Sequence, residues 1–245
     1  MTPVLEVHDV VKRYGSKTVV DAVSFAVAEG ELLGVIGPNG AGKTTLFNVI
    51  DGATGSDGGS VRLAGADITN LAPYRRARLG VGRAFQVPRP FSGLSVFENV
   101  LVGAFNLPGS STTSARRRTL EVLDEVGLAE KRNVTAGALA LLDRKRLELA
   151  KAMSVGGKAL LLDEIAGGLT DHEVFALVEI VTRLKRGRAV LWIEHIPHAL
   201  KDAADRILVL HFGAKLIEAA PAIVMADAQV REIYLGISVD DAAGA

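Results

Sequence analysis

The chain has 245 residues, 49% apolar and 23% charged, which is enough apolar material to offset the entropy of folding and carries no signature of disorder. Lysine plus arginine and aspartate plus glutamate number 28 each, so no global positive field exists to gather a nucleic acid, and the balance argues against a dedicated DNA binder. Cysteine is absent, which excludes disulfides and thiolate metal sites and fits a reducing cytoplasm.

Glu6 and Asp9 interrupt the apolar residues at the N-terminus, so no charged-then-apolar leader is present. No apolar run approaches the roughly 20 residues that a spanning helix needs. The expectation is a chain that neither crosses nor is exported through a membrane by itself. Residues 4–7, 23–27 and 32–36 are short β-branched runs, broken by Gly15 and by Glu29-Gly30, and read as strands joined by tight turns. The run 32–36 is apolar on both faces, as in the centre of a sheet, and the glycine loop with residues 43–50 completes a strand, a loop and a helix. Residues 60–64, after Gly58-Gly59, read as a further edge strand, and 81–85 as another strand.

From about residue 91 to 153 helical spacing takes over: Val96, Val100 and Leu101, then Leu120, Leu123 and Val126, then Leu147, Leu149 and Ala150. Residues 107–114, rich in Pro, Gly, Ser and Thr, read as a surface loop inside this helical insert. The sheet resumes at 159–163, 189–193 and 207–210, separated by a helix-patterned stretch at 173–184, and this alternation argues for a parallel sheet. The residues from Ser238 onward read as a frayed tail.

Gly37-Pro38-Asn39-Gly40-Ala41-Gly42-Lys43-Thr44 fits the spacing of a P-loop, with Thr45 following. A chain that wraps a phosphate must expose successive amide N–H groups and adopt positive φ with no Cβ in the way, hence the glycines. Lys43 would neutralise the β and γ phosphates, Thr44 would hold Mg²⁺ through its hydroxyl, and the helix begun there aims its positive end at the same anion. The competing reading is a glycine-rich turn that merely starts a helix. Asp163 and Glu164 end an apolar strand, where open α/β sheets place their ligands. Asp163 suits Mg²⁺ through water and Glu164 suits a general base for the attacking water. Alone, such a pair is more often a helix N-cap; beside a P-loop the odds reverse.

His195 ends a third buried strand at the same sheet edge, where it would reach the γ-phosphate or serve as a structural histidine. Gln86 follows a strand and would reach the nucleotide's Mg²⁺ or water, although by itself a loop amide is the plainer reading. For Tyr14, stacking on a base and partial burial in the core stand equal.

In this order these elements resemble the ABC ATPase family over essentially the whole chain. The resemblance implies a P-loop NTPase core with a mixed or parallel sheet, an N-terminal antiparallel β part and an inserted helical subdomain. Within one domain, 1–245, residues 1–90 and 154–237 would form the core with its β part, 91–153 the helical subdomain and 238–245 the tail. It also implies roles for Tyr14 as the base-stacking aromatic, Gln86 as the Q-loop glutamine, Leu169-Thr170-Asp171 as the D-loop and His195 as the switch histidine. The cofactors implied are ATP and Mg²⁺, with Thr44, Gln86 and Asp163 around the metal.

More narrowly, residues 36–48 together with Arg83-Ala84-Phe85-Gln86 and Phe97-Glu98-Asn99-Val100 look like the ATP-binding subunits of branched-chain amino-acid importers; importers of urea or aromatic acids share such stretches. The implied partners are membrane-spanning permease subunits, a second ATPase subunit and, indirectly, an external solute-binding protein, with no nucleic acid. The place implied is the inner face of the cell membrane, on the cytoplasmic side, and residues 87–94 are the candidate permease contact.

Two positions depart from the family. Where it has Leu-Ser-Gly-Gly-Gln, this chain has Leu139-Ala140-Leu141-Leu142-Asp143, without the serine hydroxyl and the close backbone approach of glycine, so this segment should hold a partner's γ-phosphate less well. Such asymmetry suits a heterodimer, with a homodimer as the alternative. Ile165 stands where the family usually has proline and is expected to alter only the local turn. A GTPase is disfavoured by the lack of an Asn-Lys-x-Asp guanine reader, and an ABC-type ATPase acting on nucleic acid or ribosomes by the lack of room for long inserts. A nucleotide-responsive module without turnover is the remaining rival, motivated by residues 140–143.

Overall fold

The computed structural model describes residues 3–195 and 197–235, the side chains of 197, 198, 234 and 235 excepted, and the tail expected from residue 238 lies outside them. Two long strands, β1 (Pro3–Tyr14) and β2 (Lys17–Ala28), form a hairpin. Both run well beyond the short segments expected at 4–7 and 23–27, because the pairing continues through irregularities at Asp9 and Ala22, each with positive φ, that turn Val10 and Val20 inward again. β4 (Gly58–Leu63) pairs with β1, and the two-residue β5 (Ala66–Asp67) covers its other side, so β4 is interior rather than the expected edge strand.

The second sheet has the order β10-β9-β3-β8-β7-β6. It contains β3 (Leu32–Ile36), β6 (Val81–Ala84), β7 (Ala159–Asp163), β8 (Ala189–Ile193) and β9 (Arg206–His211), all parallel. β10 (Ala214–Ala219) runs antiparallel to β9 and makes the sheet mixed. Sequence reading missed β10 because its half-exposed Ala-Lys-Leu-Ile-Glu-Ala lacks a β-branched run.

Strands β3, β7 and β8 are buried at every position. Alternation divides their side chains between two cores. Leu160, Leu162, Val190 and Trp192 join one cluster with Val96, Val100, Leu123 and Leu147 of the insert. Leu161, Leu191, Leu33 and Val35 face the other, with Leu46, Phe47 and Ile50 of α1 (Lys43–Asp51) and Leu5, Val10 and Val27 of the antiparallel sheet.

The insert holds α3 (Val96–Phe105), α4 (Thr112–Glu125) and α5 (Leu141–Ser154). α4 starts inside the segment 107–114 expected as loop, because Ser111 and Ser114 form a capping box that recruits residues 112–114 into its first turn. Leu120, expected on the apolar face of α4, is exposed, while Leu123 and Val122 carry its packing. Ile165, expected to alter only the local turn, is fully buried in the larger core. α6 (Asp171–Leu184) begins two residues before the expected stretch because Thr170 caps it, with Glu173 completing the capping box. α7 (Pro197–Ala203), α8 (Pro221–Ala226) and α9 (Ala228–Leu235) complete the described chain.

The short helix α2 (Pro73–Leu79), also missed from sequence, starts on a proline and ends on Gly80 in the left-handed region. Its Arg76 is almost fully buried and acts as a tether: the guanidinium donates to the carbonyls of Val49 at 2.6 Å and Ile50 at 2.8 Å in the last turn of α1, and to Thr69 at 2.6 Å and Leu71 at 2.9 Å. The Val49 and Ile50 carbonyls lie in a last helical turn, where the helix itself supplies no donor. Arg76→Met should therefore lower the unfolding free energy by about 2–4 kcal/mol, read from denaturant midpoints; an unchanged midpoint would show that the tether holds nothing.

Candidate active site

The edge of the six-stranded sheet at the carboxyl ends of β3, β8 and β7 gathers the polar residues that the cores exclude. The chain leaves β3 at Gly37 and returns into α1 at Lys43, and the loop between them is squeezed against two neighbouring strands. A Cβ on Gly37 would lie 2.2 Å from the Leu210 carbonyl oxygen, and one on Gly42 2.4 Å from that of Val19. Gly42 also has φ 101° at the N-cap of α1. Glycine is thus required here by contact with β9 and β2 as well as by the loop's own curvature.

The loop bounds a cavity of about 180 Å³ lined by Val19, Asn39, Gly40, Ala41, Gly42, Lys43, Thr44, Thr45 and Glu164. Lys43 is nearly buried, and its ammonium donates to the carbonyls of Gly37 at 2.6 Å and Pro38 at 3.1 Å, which leaves its third proton for a ligand. Burial lowers its pKa from the ordinary lysine value, while Glu164 and Asp163 pull it back. An anion in the cavity adds to that pull.

Glu164 faces the loop from the end of β7, with its carboxylate gripped on both sides. Gln86 Nε2 donates to its Oε2 at 2.6 Å, and His195 Nε2 lies 2.6 Å from its Oε1. Two residues that follow separate strands therefore converge on the carboxylate that ends a third. Glu164 also carries a positive φ of 47°, a conformation that costs a non-glycine residue roughly 1–2 kcal/mol. Its N–H donates to the Ile193 carbonyl at 2.8 Å, which fixes the residue to β8.

Asp163 is buried, and one of its oxygens accepts from Arg83 Nη2 at 2.5 Å. Arg83 in turn donates to Asn48 at 2.7 Å and Asp51 at 2.5 Å on α1. A single guanidinium thereby joins β6, β7 and the helix that follows the loop. In the sequence Arg83 is marked only as a charge inside a short strand bounded by apolar residues, a signal that assigns it no partner.

Glu194, also missed, is buried with its pKa raised by that burial, and its carboxylate accepts from the amides of Ala166 at 2.9 Å and His195 at 3.0 Å. It ties the turn after Glu164 to the turn that bears His195.

The remaining sequence candidates sit apart from this cluster. Tyr14 is 51% exposed at the end of β1, with Lys12 Nζ 5.5 Å from its ring centroid, so it is not drawn into the core. Asp171 is exposed at the first position of α6 and does not line the phosphate-sized cavity. In the segment 139–143, Ala140 is the N-cap of α5 and offers no side-chain cap, Leu141 is exposed, and buried Asp143 pairs with Lys131 and Arg146.

For Mg²⁺ the donor chemistry fits. Thr44 supplies a hydroxyl, Asp163 keeps one carboxylate oxygen not engaged by Arg83, and Gln86 offers an amide oxygen. Among the described residues no group of three or more His, Cys, Asp or Glu forms a cage for a metal.

The family model described as "ABC transporter" matches residues 20–167. The chain is 36% identical to the high-affinity branched-chain amino acid transport ATP-binding protein BraF of Pseudomonas aeruginosa, over 96% of this chain and 98% of that one. It is 34% identical to the lipopolysaccharide export system ATP-binding protein LptB of Acidithiobacillus ferridurans, with the same coverage. The solved structure of MJ1267, an ATP-binding cassette of an ABC transporter in its ADP conformation, superposes with a TM-score of 0.87 at 29% identity, over 97% of this chain and 100% of that one. Together with the loop, the paired carboxylates and the sheet edge that joins them, these likenesses establish that the chain belongs to the ABC transporter family as an ATP-binding, ATP-hydrolysing subunit.

Proposed function

We propose that this subunit powers an importer of branched-chain amino acids or a related small solute, working on the cytoplasmic face of the cell membrane beside permease subunits and a second ABC ATPase. The observation that carries its chemistry is Glu164, held between Gln86 and His195 and facing the Lys43 loop across one small cavity. In this reading the loop amides and Lys43 bind the β and γ phosphates of ATP, and Tyr14 offers its ring to the base. Glu164 takes a proton from water as the water oxygen bonds to the γ-phosphorus and the bond to the β-phosphate oxygen breaks, releasing ADP and phosphate. Gln86 and His195 keep the carboxylate aimed. Thr44, Asp163 and Gln86 would hold Mg²⁺, which when bound neutralises charge on the phosphates.

Likeness to BraF, and to LivG of Escherichia coli at 34% identity, supports the solute class. The exposed apolar side chains of Phe85, Val87, Phe91 and Leu94 support a permease contact at 87–94. An export role is the second reading, favoured by the likeness to LptB. ATP-driven uptake of labelled leucine into vesicles that carry the complex tests the first; ATP-driven movement of lipopolysaccharide out of the membrane with no uptake of leucine, urea or aromatic acids would favour the second.

Segment 139–143 supports a heterodimer. This chain's own Lys43, Asp163, Glu164 and His195 are all in place, whereas Ala140 and Leu141 give a partner's phosphate neither a hydroxyl nor a bare backbone.

Lys43→Ala should weaken ATP binding about 10- to 100-fold through the loss of a charge-assisted contact, measured by nucleotide titration; wild-type affinity and turnover would overturn the phosphate assignment. Glu164→Gln should lower kcat by about 10²-fold or more and leave ATP binding close to wild type. The same change at the partner's equivalent glutamate should cost much less, and equal losses would count against the asymmetric pair.

A further inference from the structure

One buried charged face lies outside the site and has no part in the chemistry above. Lys145, Glu148 and Lys151 stand three residues apart on α5, so successive side chains are neighbours. Lys145 is 2% and Glu148 1% exposed. All three reach across to the main chain that follows β6. Lys145 Nζ donates to the Gln86 carbonyl at 2.6 Å, Lys151 Nζ to the Arg89 carbonyl at 2.8 Å, and the Arg89 amide donates to Glu148 Oε1 at 2.7 Å. Lys151 also donates to the same Glu148 oxygen at 2.7 Å, which completes a closed set.

A helix that only needed to pack against the sheet would do as well with apolar residues, because desolvating an ammonium and a carboxylate costs about what their mutual attraction returns. Here each charge is also spent on a backbone group, which ties α5 at defined points to the chain that follows β6. The segment they hold carries the Gln86 side chain that donates to Glu164. Burial lowers the pKa of Lys145, while Glu194, Glu148 and Glu164 oppose the shift, which places its ammonium amid the carboxylates behind the site.

We propose that Lys145, Glu148 and Lys151 are positioning residues for ATP hydrolysis: they clamp the main chain of Gln86 and Arg89 to α5 and so set where the Gln86 carboxamide meets Glu164. α5 is also the helix whose first turn carries the segment aligned with the family's signature. A displacement of that helix therefore moves Gln86 with it and reaches Glu164 through hydrogen bonds alone. The proposal rests on the roles given above to Gln86 and Glu164.

The test is a set of full-chain variants: Glu148→Ala, Glu148→Gln, Lys151→Met, Gln86→Ala and the Gln86→Ala/Glu148→Ala double. Each is read for kcat, KM for ATP, unfolding midpoint and hydrogen exchange at the Arg89 amide. Glu148→Ala should lower kcat about tenfold with KM within about twofold of wild type, and should speed exchange at Arg89. Glu148→Gln keeps an acceptor and should restore most of the activity. Lys151→Met, which removes a donor and leaves no carboxylate-sized gap, should follow Glu148→Ala if that variant folds poorly.

In the Gln86→Ala background, Glu148→Ala should add less than about twofold, since both changes act through one bond. Equal effects in the two backgrounds, or a wild-type kcat in Glu148→Ala, overturn the clamp while the Gln86 role stands. A wild-type kcat in Gln86→Ala overturns the Gln86 role, and the clamp falls with it.

Discussion

Three adjacent strands with no solvent face decide where anything polar can stand in this protein. β3, β7 and β8 are buried along their whole length, so a carboxylate, imidazole or phosphate-binding loop has no place on them except at an end. Because the strands are parallel neighbours, their carboxyl ends open on one edge, and Gly37, Glu164 and His195 emerge side by side. The bonds from Gln86 and His195 to Glu164 follow from that adjacency as much as from the residue types.

The charged groups of the site are held by one another and by the main chain. Lys43 rests on two carbonyls, Glu164 on Gln86 and His195, and Asp163 on Arg83. Side chains held in this way have little freedom left to lose on taking up a further contact. The positive φ of Glu164 is stored in the same spirit: Ile165 and Ala166, fully buried just beyond it, and the bond to Ile193 keep the turn from relaxing.

Much of this was legible in the residues. Continuous apolar runs marked the central strands, with 159–163 and 189–193 matched to the residue, and the spacing from Gly37 to Thr44 located the loop. Gln86, Glu164 and His195 were named one by one, yet nothing in linear sequence says that their side chains meet on a single carboxylate. What escaped depended on partners far along the chain. Arg83 takes its meaning from Asn48, Asp51 and Asp163, and Arg76 from the end of α1. The turn at Ser111 was hidden because serine and threonine serve loops and helix caps alike. β10 was hidden because its pattern is that of a half-exposed antiparallel strand.

The shortness of β6 has a bearing on colloidal behaviour. It is a four-residue strand that pairs only with β7 and closes one side of the six-stranded sheet, and it carries Gly82 and the inward-tied Arg83. The opposite side closes on β10, where Lys215 and Glu218 pair along the strand. The β6 border is too short to offer the long, flat row of free amides and carbonyls that lets one sheet extend into another, so on that side a crowded population of these molecules is guarded against fusing strand to strand.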